Sequence, residues 1–157
     1  MSTAEHPELK VQDWLRVFCY DSYCADAMTS GLTNSKDTTL RWQLAVDTLY
    51  RLLASDLLYI PALKADDSST MKSAALDYIK SPARHDPFSS DIEETSHWYL
   101  WDISATDRCH SLIDKYGIRD LPQGELSQGL VAALHSLFAE NQVAWSDYPL
   151  IAISTDQ

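Results

Sequence analysis

The stretch from Asp37 to Asp56 constrains the fold most strongly, because its apolar side chains recur with the period of an α-helix. They form one continuous face, made of Leu40, Leu44, Val46, Leu49, Leu52 and Leu53. This spacing predicts an amphipathic helix whose apolar face is buried against other elements. Ser35 or Asp37 is a suitable N-cap, because either side chain can accept a hydrogen bond from a backbone N–H of the first turn.

The same periodicity predicts further helices along the chain. They cover about Pro7 to Tyr20, Met71 to Ile79, Ile92 to Ile103, Cys109 to Tyr116 and Glu125 to Asn141. Ser68 or Ser69 is the expected N-cap of the Met71 helix, and Pro82 is expected to close it. Ser90 with Glu93 fits a capping box at the start of the next helix. We therefore predict a mainly α, bundle-like single domain that spans residues 1–157.

Two apolar segments are expected to be extended. Leu57 to Ile60 follows the strongest helix and stops at Pro61, and Leu150 to Ile153 follows Pro149. One or two short strands of this kind would make the fold α+β instead of purely helical. The stretch Leu49–Leu58 also parallels Leu134–Val143. This likeness indicates either a duplicated helix-then-strand unit or two helices with similar ends.

The composition favours a globular protein without covalent staples. Hydrophobic residues make up 45% of the 157 positions, which is typical of a chain that builds one packed core. The three cysteines have irregular spacing, so no disulfide framework is expected. The first ten residues lack the basic and apolar regions of a signal peptide, and no apolar run approaches the ~20 residues that span a bilayer. A cytoplasmic location is expected.

Negative charge is concentrated in two windows that contain neither Lys nor Arg. These windows, His85 to Asp107 and Asp120 to Gln157, account for the whole formal charge of −11. Contacts to phosphate need clustered basic side chains, so nucleic acid is excluded as the expected partner, as is an anionic membrane surface. The charge serves either solubility alone or attraction to a basic protein.

The first window also holds an unusual density of aromatic residues. From Trp98 to Ile103 every residue except Asp102 is aromatic or aliphatic, which exceeds one helical stripe. Acids that steer association and aromatic anchors together are typical of a protein interface. The predicted partner-binding residues are Asp91, Glu93, Glu94, Trp98, Trp101, Asp102 and Asp107. The alternative is an amphipathic helix with its aromatics in the core. Trp145 to Tyr148 forms a second, weaker patch.

The residue types used in catalysis do not form a recognisable site in the sequence. Cys109 and His110 are adjacent, but neighbouring residues of a helix point about 100° apart, and Cys109 lies on an apolar stripe. Asp102 would suit acid–base chemistry only in an apolar pocket. The five histidines lack metal-ligand spacing, and no phosphate-binding glycine motif occurs. We predict no catalytic residue, no metal and no cofactor.

The acid-and-aromatic run DIEETSHWYLWDISATD, together with the base-free C-terminal quarter, resembles the small acidic immunity proteins of bacterial contact-dependent inhibition and related polymorphic toxin systems. The resemblance is one of general character over the whole chain. It implies a cytoplasmic, non-enzymatic inhibitor that covers the active site of a basic toxin domain, most often a nuclease, in a tight one-to-one complex.

Two other functions remain open from the sequence. An acidic adaptor or regulator, including one that mimics the charge of nucleic acid, would bind several basic proteins in a salt-sensitive way. A small enzyme would be built around Asp102 or around Cys109 and His110, and it would need an enclosed polar pocket.

Overall fold

The computed structural model describes residues 7–63 and 71–155. The helices in these ranges are α1 (Glu8–Phe18), α2 (Thr38–Ala54), α3 (Met71–Arg84), α4 (Ile92–Ser96), α5 (Asp107–Lys115) and α6 (Gln128–Glu140). The strands are β1 (Tyr23–Cys24), β2 (Leu58–Tyr59) and β3 (Asp102–Ala105). Helices dominate and the strands are short, which confirms the predicted mainly α fold with a small β component. The N-cap predicted for α3, Ser68 or Ser69, lies outside the described residues.

Helix α2 is the centre of the molecule, and its start is fixed by a side chain. Asp37 accepts hydrogen bonds from the backbone N–H groups of Thr39 and Leu40, as expected of an N-cap. From Ala45 to Ala54 every side chain is buried, so the helix is covered all round and not only on its apolar face. Helix α3 packs along it, and the indole Nε1 of Trp42 donates to the backbone oxygen of Pro82 at 2.9 Å.

Helix α3 extends further than the sequence indicated. It runs through Pro82 to Arg84, so the prediction that Pro82 closes the helix was wrong. Proline lacks the N–H that would bond back to the oxygen of Tyr78, so the ladder loses one bond there, but the helix continues for two more residues. The added turn brings Ala83 close to the chain's far end, where its oxygen accepts the N–H of Ser154 at 2.9 Å.

The three strands form one antiparallel sheet with β3 in the middle. Tyr23 of β1 lies opposite Ile103, and Leu58 of β2 lies opposite Ala105. Strand β2 confirms the extended exit that was predicted after α2. By contrast, the helix predicted from Ile92 to Ile103 is wrong beyond Ser96, because the chain turns there and then joins the sheet as β3. Asp91, not Ser90, caps the short helix α4.

Helices α2 and α6 end in the same way. Each is followed by a residue with positive φ, namely Asp56 at 59° and Gln142 at 62°. The next N–H then bonds back into the helix, from Leu57 to Leu52 and from Val143 to Phe138, as in a Schellman motif. The internal likeness of the two sequences thus corresponds to two similar helix ends. Only α2 continues into a strand within the described chain.

The residues after α6 lie against α2 without forming a strand. We call residues 143–153 the C-terminal segment; the strand predicted at Leu150 to Ile153 is absent from it. The carboxylate of Asp47 accepts the N–H groups of Leu150 and Ile151 at 3.2 and 3.1 Å. The Arg51 guanidinium donates to the backbone oxygens of Val143 and Ala144. Side chains of α2 thus take the place of a partner strand.

One hydrophobic core joins most elements of the described chain. The buried side chains of the described residues form one hydrophobic core, which draws on every helix except α4 as well as on strands β2 and β3. No helix in the described part of the chain has the length and apolar character that crossing a membrane requires.

Candidate protein-binding surface

A turn between α4 and β3 carries three successive exposed apolar side chains next to acidic residues. It is anchored by Trp98, which is only 1% exposed. The indole Nε1 of Trp98 donates to the backbone oxygen of His85 at 2.6 Å, and its own backbone oxygen accepts the N–H of Asp26 at 3.1 Å. Trp98 therefore holds the turn from inside. A buried side chain cannot contact a partner, so this predicted binding residue is placed in the core.

The residues that follow Trp98 point outward. Tyr99, Leu100 and Trp101 are 56%, 54% and 38% exposed. Three large apolar side chains in succession seldom face solvent together on a protein with no partner for them, although single exposed ones are common. Ile92 on the neighbouring helix α4 is 83% exposed. The surplus of apolar residues seen in the sequence is thus divided between one inward anchor and an outward group.

The Tyr99 side chain joins the turn between α4 and β3 to an earlier element of the chain. A hydrogen bond with the carboxylate of Asp26 raises the pKa of the Tyr99 phenol. This bond links the turn to the 3₁₀ helix Ala25–Thr29, which directly follows β1. Both the Tyr99 side chain and the Trp98 backbone are therefore fixed to the same element. The exposed residues lie on a supported turn and not on a free loop.

The predicted acids near this turn have different tasks. Asp91 accepts the N–H of Glu93 as the N-cap of α4, and Glu94 accepts the N–H of Asp86 at 2.9 Å. Glu93 is exposed, and so is Asp102 at the start of β3. Asp91 and Glu94 thus have structural roles within the loop. Asp91, Glu93 and Asp102 are exposed and present their charge to solvent, whereas Glu94 is partly buried.

Asp107 is not brought together with the other predicted residues. It lies past the opposite end of β3, where Asp56, Tyr59 and Arg108 line an open depression of about 310 Å³ with it. Extended chain rises roughly 3.3 Å per residue, so β3 alone separates Asp102 from Ala105 by about 10 Å, and Asp107 lies beyond that end in the first turn of α5. We therefore define the acid-and-aromatic surface as Asp91, Ile92, Glu93, Tyr99, Leu100, Trp101 and Asp102.

Three residues of this surface were not among the predicted binding residues. Ile92 was assigned to a buried helical face, and nothing in its sequence context indicates exposure. Tyr99 and Leu100 belong to the aromatic run, so the excess over one helical stripe was a usable signal for them. That signal did not distinguish which members face inward.

The second patch predicted at Trp145 to Tyr148 is divided in the same manner. The Trp145 ring lies under the Arg51 guanidinium at 4.3 Å and meets Phe138 edge to face, with 5.7 Å between ring centroids. Tyr148 alone among the aromatics there is well exposed, at 79%. One exposed tyrosine is an ordinary surface feature and not a patch.

The residues considered for catalysis are not arranged as a catalytic site. Cys109 is fully buried, and its hydrogen bond with Cys19 raises the pKa of its thiol, with burial adding to the rise. His110 instead faces Arg119, with 3.3 Å between His110 Nδ1 and a guanidinium nitrogen. Asp102 is exposed and not enclosed by apolar side chains. Within the described ranges no group of three or more candidate ligands is placed to hold a metal ion.

Open clefts of about 510 and 550 Å³ flank helix α1. Both contain Lys10 and Asp13, and one of them also contains Arg16. The Arg16 side chain is bonded to Asp13 and to the backbone oxygen of Leu121, so its charge is already engaged. These clefts offer mixed charge and no convergent set of polar groups. The acid-and-aromatic surface is the stronger candidate for binding.

Comparison with known proteins gives no relative on which to base a function. The chain matches no protein-family model, no curated protein and no solved structure.

Proposed function

We propose that this protein is a non-enzymatic inhibitor that binds a basic protein through the acid-and-aromatic surface. The partner we favour is a cognate toxin domain of nuclease type, met in the cytoplasm and blocked by occlusion of its active site. The observation that carries this proposal is the exposure of Tyr99, Leu100 and Trp101 in a segment whose acids Glu93 and Asp102 are exposed as well. A nuclease site is lined by Lys and Arg that bind phosphate, so an acidic surface suits it.

The support of the turn favours tight binding. Trp98 is fixed by bonds to His85 and Asp26, so the exposed residues are held in place before a partner arrives. A preorganised surface loses less conformational entropy on association, and the difference appears as affinity. Exposed aromatic residues with low rotamer entropy are also the usual centres of binding energy in interfaces.

The charge distribution favours fast association with a basic partner. Glu93 and Asp102 lie in a window without Lys or Arg, and the whole chain carries a formal charge of −11. Complementary fields steer two proteins together, which raises the association rate more than it changes the dissociation rate. Binding by this surface should therefore be fast in low salt and slower as salt is added.

Capture from the native host is the first experiment. The tagged protein is recovered at moderate salt and washed at high salt, and the proteins that remain are identified. We expect one basic protein in equal amount. Several basic proteins lost in the wash would indicate an adaptor or charge mimic instead, and the absence of any stoichiometric partner would remove the inhibitor proposal.

Charge reversal then tests which face binds. Glu93→Lys with Asp102→Lys should slow association with the captured partner at least tenfold in low salt and reduce its salt dependence. Glu140→Lys with Asp120→Lys is the matched control, because it makes the same charge change at exposed acids outside this surface. Equal slowing by both pairs would mean that only net charge matters and that this surface is not the interface.

A further inference from the structure

Two cysteines that are far apart in the sequence meet at the junction of α1 and α5. Cys19 is the C-cap of α1, and Cys109 lies in the first turn of α5. Their sulfur atoms are 3.7 Å apart. A disulfide bond is about 2.05 Å long, so the two sulfur atoms are already in contact and within about 2 Å of bonding distance. We propose that Cys19 and Cys109 are a peroxide-reactive pair that closes to a reversible disulfide.

The surroundings give the two thiols different roles. Cys19 is partly exposed, whereas Cys109 is fully buried. The hydrogen bond from Cys109 and the positive charge of Arg119 lower the pKa of the Cys19 thiol, although its partial burial and the negative charge of Asp114 oppose this. The thiolate is the reactive form of cysteine, so Cys19 is the residue that meets the oxidant. Cys109 remains a thiol until Cys19 has been oxidised.

Arg119 is held in position for this effect. Its guanidinium bonds to the Asp114 carboxylate at 2.9 Å and lies over the Tyr20 ring at 5.0 Å. Tyr20 directly follows Cys19 in the chain. The cation is therefore oriented from two sides next to the reactive sulfur. A positive charge fixed beside a partly exposed cysteine is the usual environment of a redox-sensitive thiol.

The reaction balances with hydrogen peroxide as the oxidant. The Cys19 thiolate attacks one peroxide oxygen, the O–O bond breaks, and after proton transfer one water leaves and Cys19 becomes a sulfenic acid. The Cys109 sulfur then displaces the hydroxyl group, which leaves with the Cys109 proton as a second water. Two thiols lose two electrons in total, and one peroxide is reduced to two waters.

The third cysteine provides a control within the same molecule. Cys24 is also partly exposed, but burial together with the negative charges of Asp102 and Asp26 raises the pKa of its thiol. Its sulfur contacts the backbone oxygen of Tyr99 and the Asp102 carboxylate. Similar exposure with opposite electrostatics makes Cys24 the matched thiol against which Cys19 is measured.

Peroxide titration of the full-length protein tests the proposal. With one equivalent of peroxide at neutral pH, non-reducing peptide mapping should show a Cys19–Cys109 cross-link that dithiothreitol reverses. The closed loop is long, so Tm should rise by roughly 5–15 °C on oxidation. Cys24→Ser should behave like the wild type. Cys19→Ser should give neither the cross-link nor the rise in Tm.

A second measurement does not require any variant to fold. Iodoacetamide should label Cys19 about tenfold faster than Cys24 at neutral pH, because only the thiolate reacts. Faster labelling of Cys24, or oxidation of Cys19 that leaves Cys109 a free thiol, would overturn the proposal. Both readouts concern the protein alone, so their outcome is independent of the binding function proposed above.

Discussion

The two base-free windows have similar composition but are held by the fold in opposite ways. In the window from His85 to Asp107, one tryptophan is buried and the three residues after it project outward. In the window from Asp120 to Gln157, the C-terminal segment is bound to α2 through its own backbone. An acidic, aromatic composition therefore does not by itself identify a binding surface. The position of the hydrogen-bond partners decides which aromatics remain available.

The C-terminal segment is held by groups that are costly to bury. Asp47 and Arg51 are both buried and stand one helical turn apart on α2. Burial raises the pKa of the Asp47 carboxyl, and burial lowers the pKa of the Arg51 guanidinium to about 10. Charged groups are tolerated in such places when they are hydrogen-bonded and face an opposite charge. Here the backbone of the C-terminal segment provides those bonds.

The largest effect is expected from Arg51→Ala. It leaves the backbone oxygens of Val143 and Ala144 without their donor and Asp47 without its counter-charge, so the free energy of unfolding should fall by about 3–5 kcal/mol. Urea unfolding measures this. Arg84→Ala is the control, since Arg84 is exposed and should change stability by less than about 0.5 kcal/mol. Similar losses in the two variants would contradict the assigned role of the C-terminal segment.

A smaller effect is expected from Trp101→Ala, measured as affinity for the captured partner. Removal of an anchor from the acid-and-aromatic surface should weaken binding by about 2 kcal/mol, or roughly thirtyfold, while the free energy of unfolding changes little. Tyr148→Ala is the matched aromatic control from the other window and should leave binding nearly unchanged. A larger loss of affinity from Tyr148→Ala than from Trp101→Ala would place the interface in the window from Asp120 to Gln157 instead.

The smallest effect is a change in pH dependence on replacing Asp47 by Asn. The folded protein binds the Asp47 proton more tightly than the unfolded chain, because burial raises the pKa of this carboxyl. Its favourable contribution is therefore complete below the unfolded pKa of about 3.9 and is lost as pH rises through the higher folded pKa. Because Asn resembles the protonated carboxyl, the wild type and Asp47→Asn should be closest in stability near pH 4, and the wild type should lose stability relative to Asp47→Asn as pH rises toward 7. A difference that does not vary with pH would mean that Asp47 is not perturbed.

Helices were predictable from the sequence where periodicity was long. The predicted ranges for α2 and α6 agree with the structure to within about three residues, and Asp37 was identified as a cap for α2. The polar positions of α2, however, indicated a solvated face. They are buried because a segment about a hundred residues later in the chain covers them. Such a non-local contact leaves no trace in the local pattern.

The location of the candidate surface could be predicted from the sequence, but not which of its side chains face outward. The aromatic run located it, yet whether Trp98 or Trp101 faces inward depends on the backbone oxygen of His85 and the N–H of Asp26, which are distant in the chain. Strands of two to four residues are also too short for alternation to be visible. The helix predicted across this run failed for that reason.

The dependence of α2 on the C-terminal segment has a consequence for synthesis. During synthesis, Arg51 joins the chain 92 residues before Val143, whose backbone oxygen accepts its hydrogen bond. At a translation rate of roughly 5–20 residues per second, the charged groups of α2 lack these partners for on the order of 5–20 s. We expect the nascent chain to reach its native packing only after residue 151 has emerged. Premature termination ahead of this point would then yield a product that proteases remove.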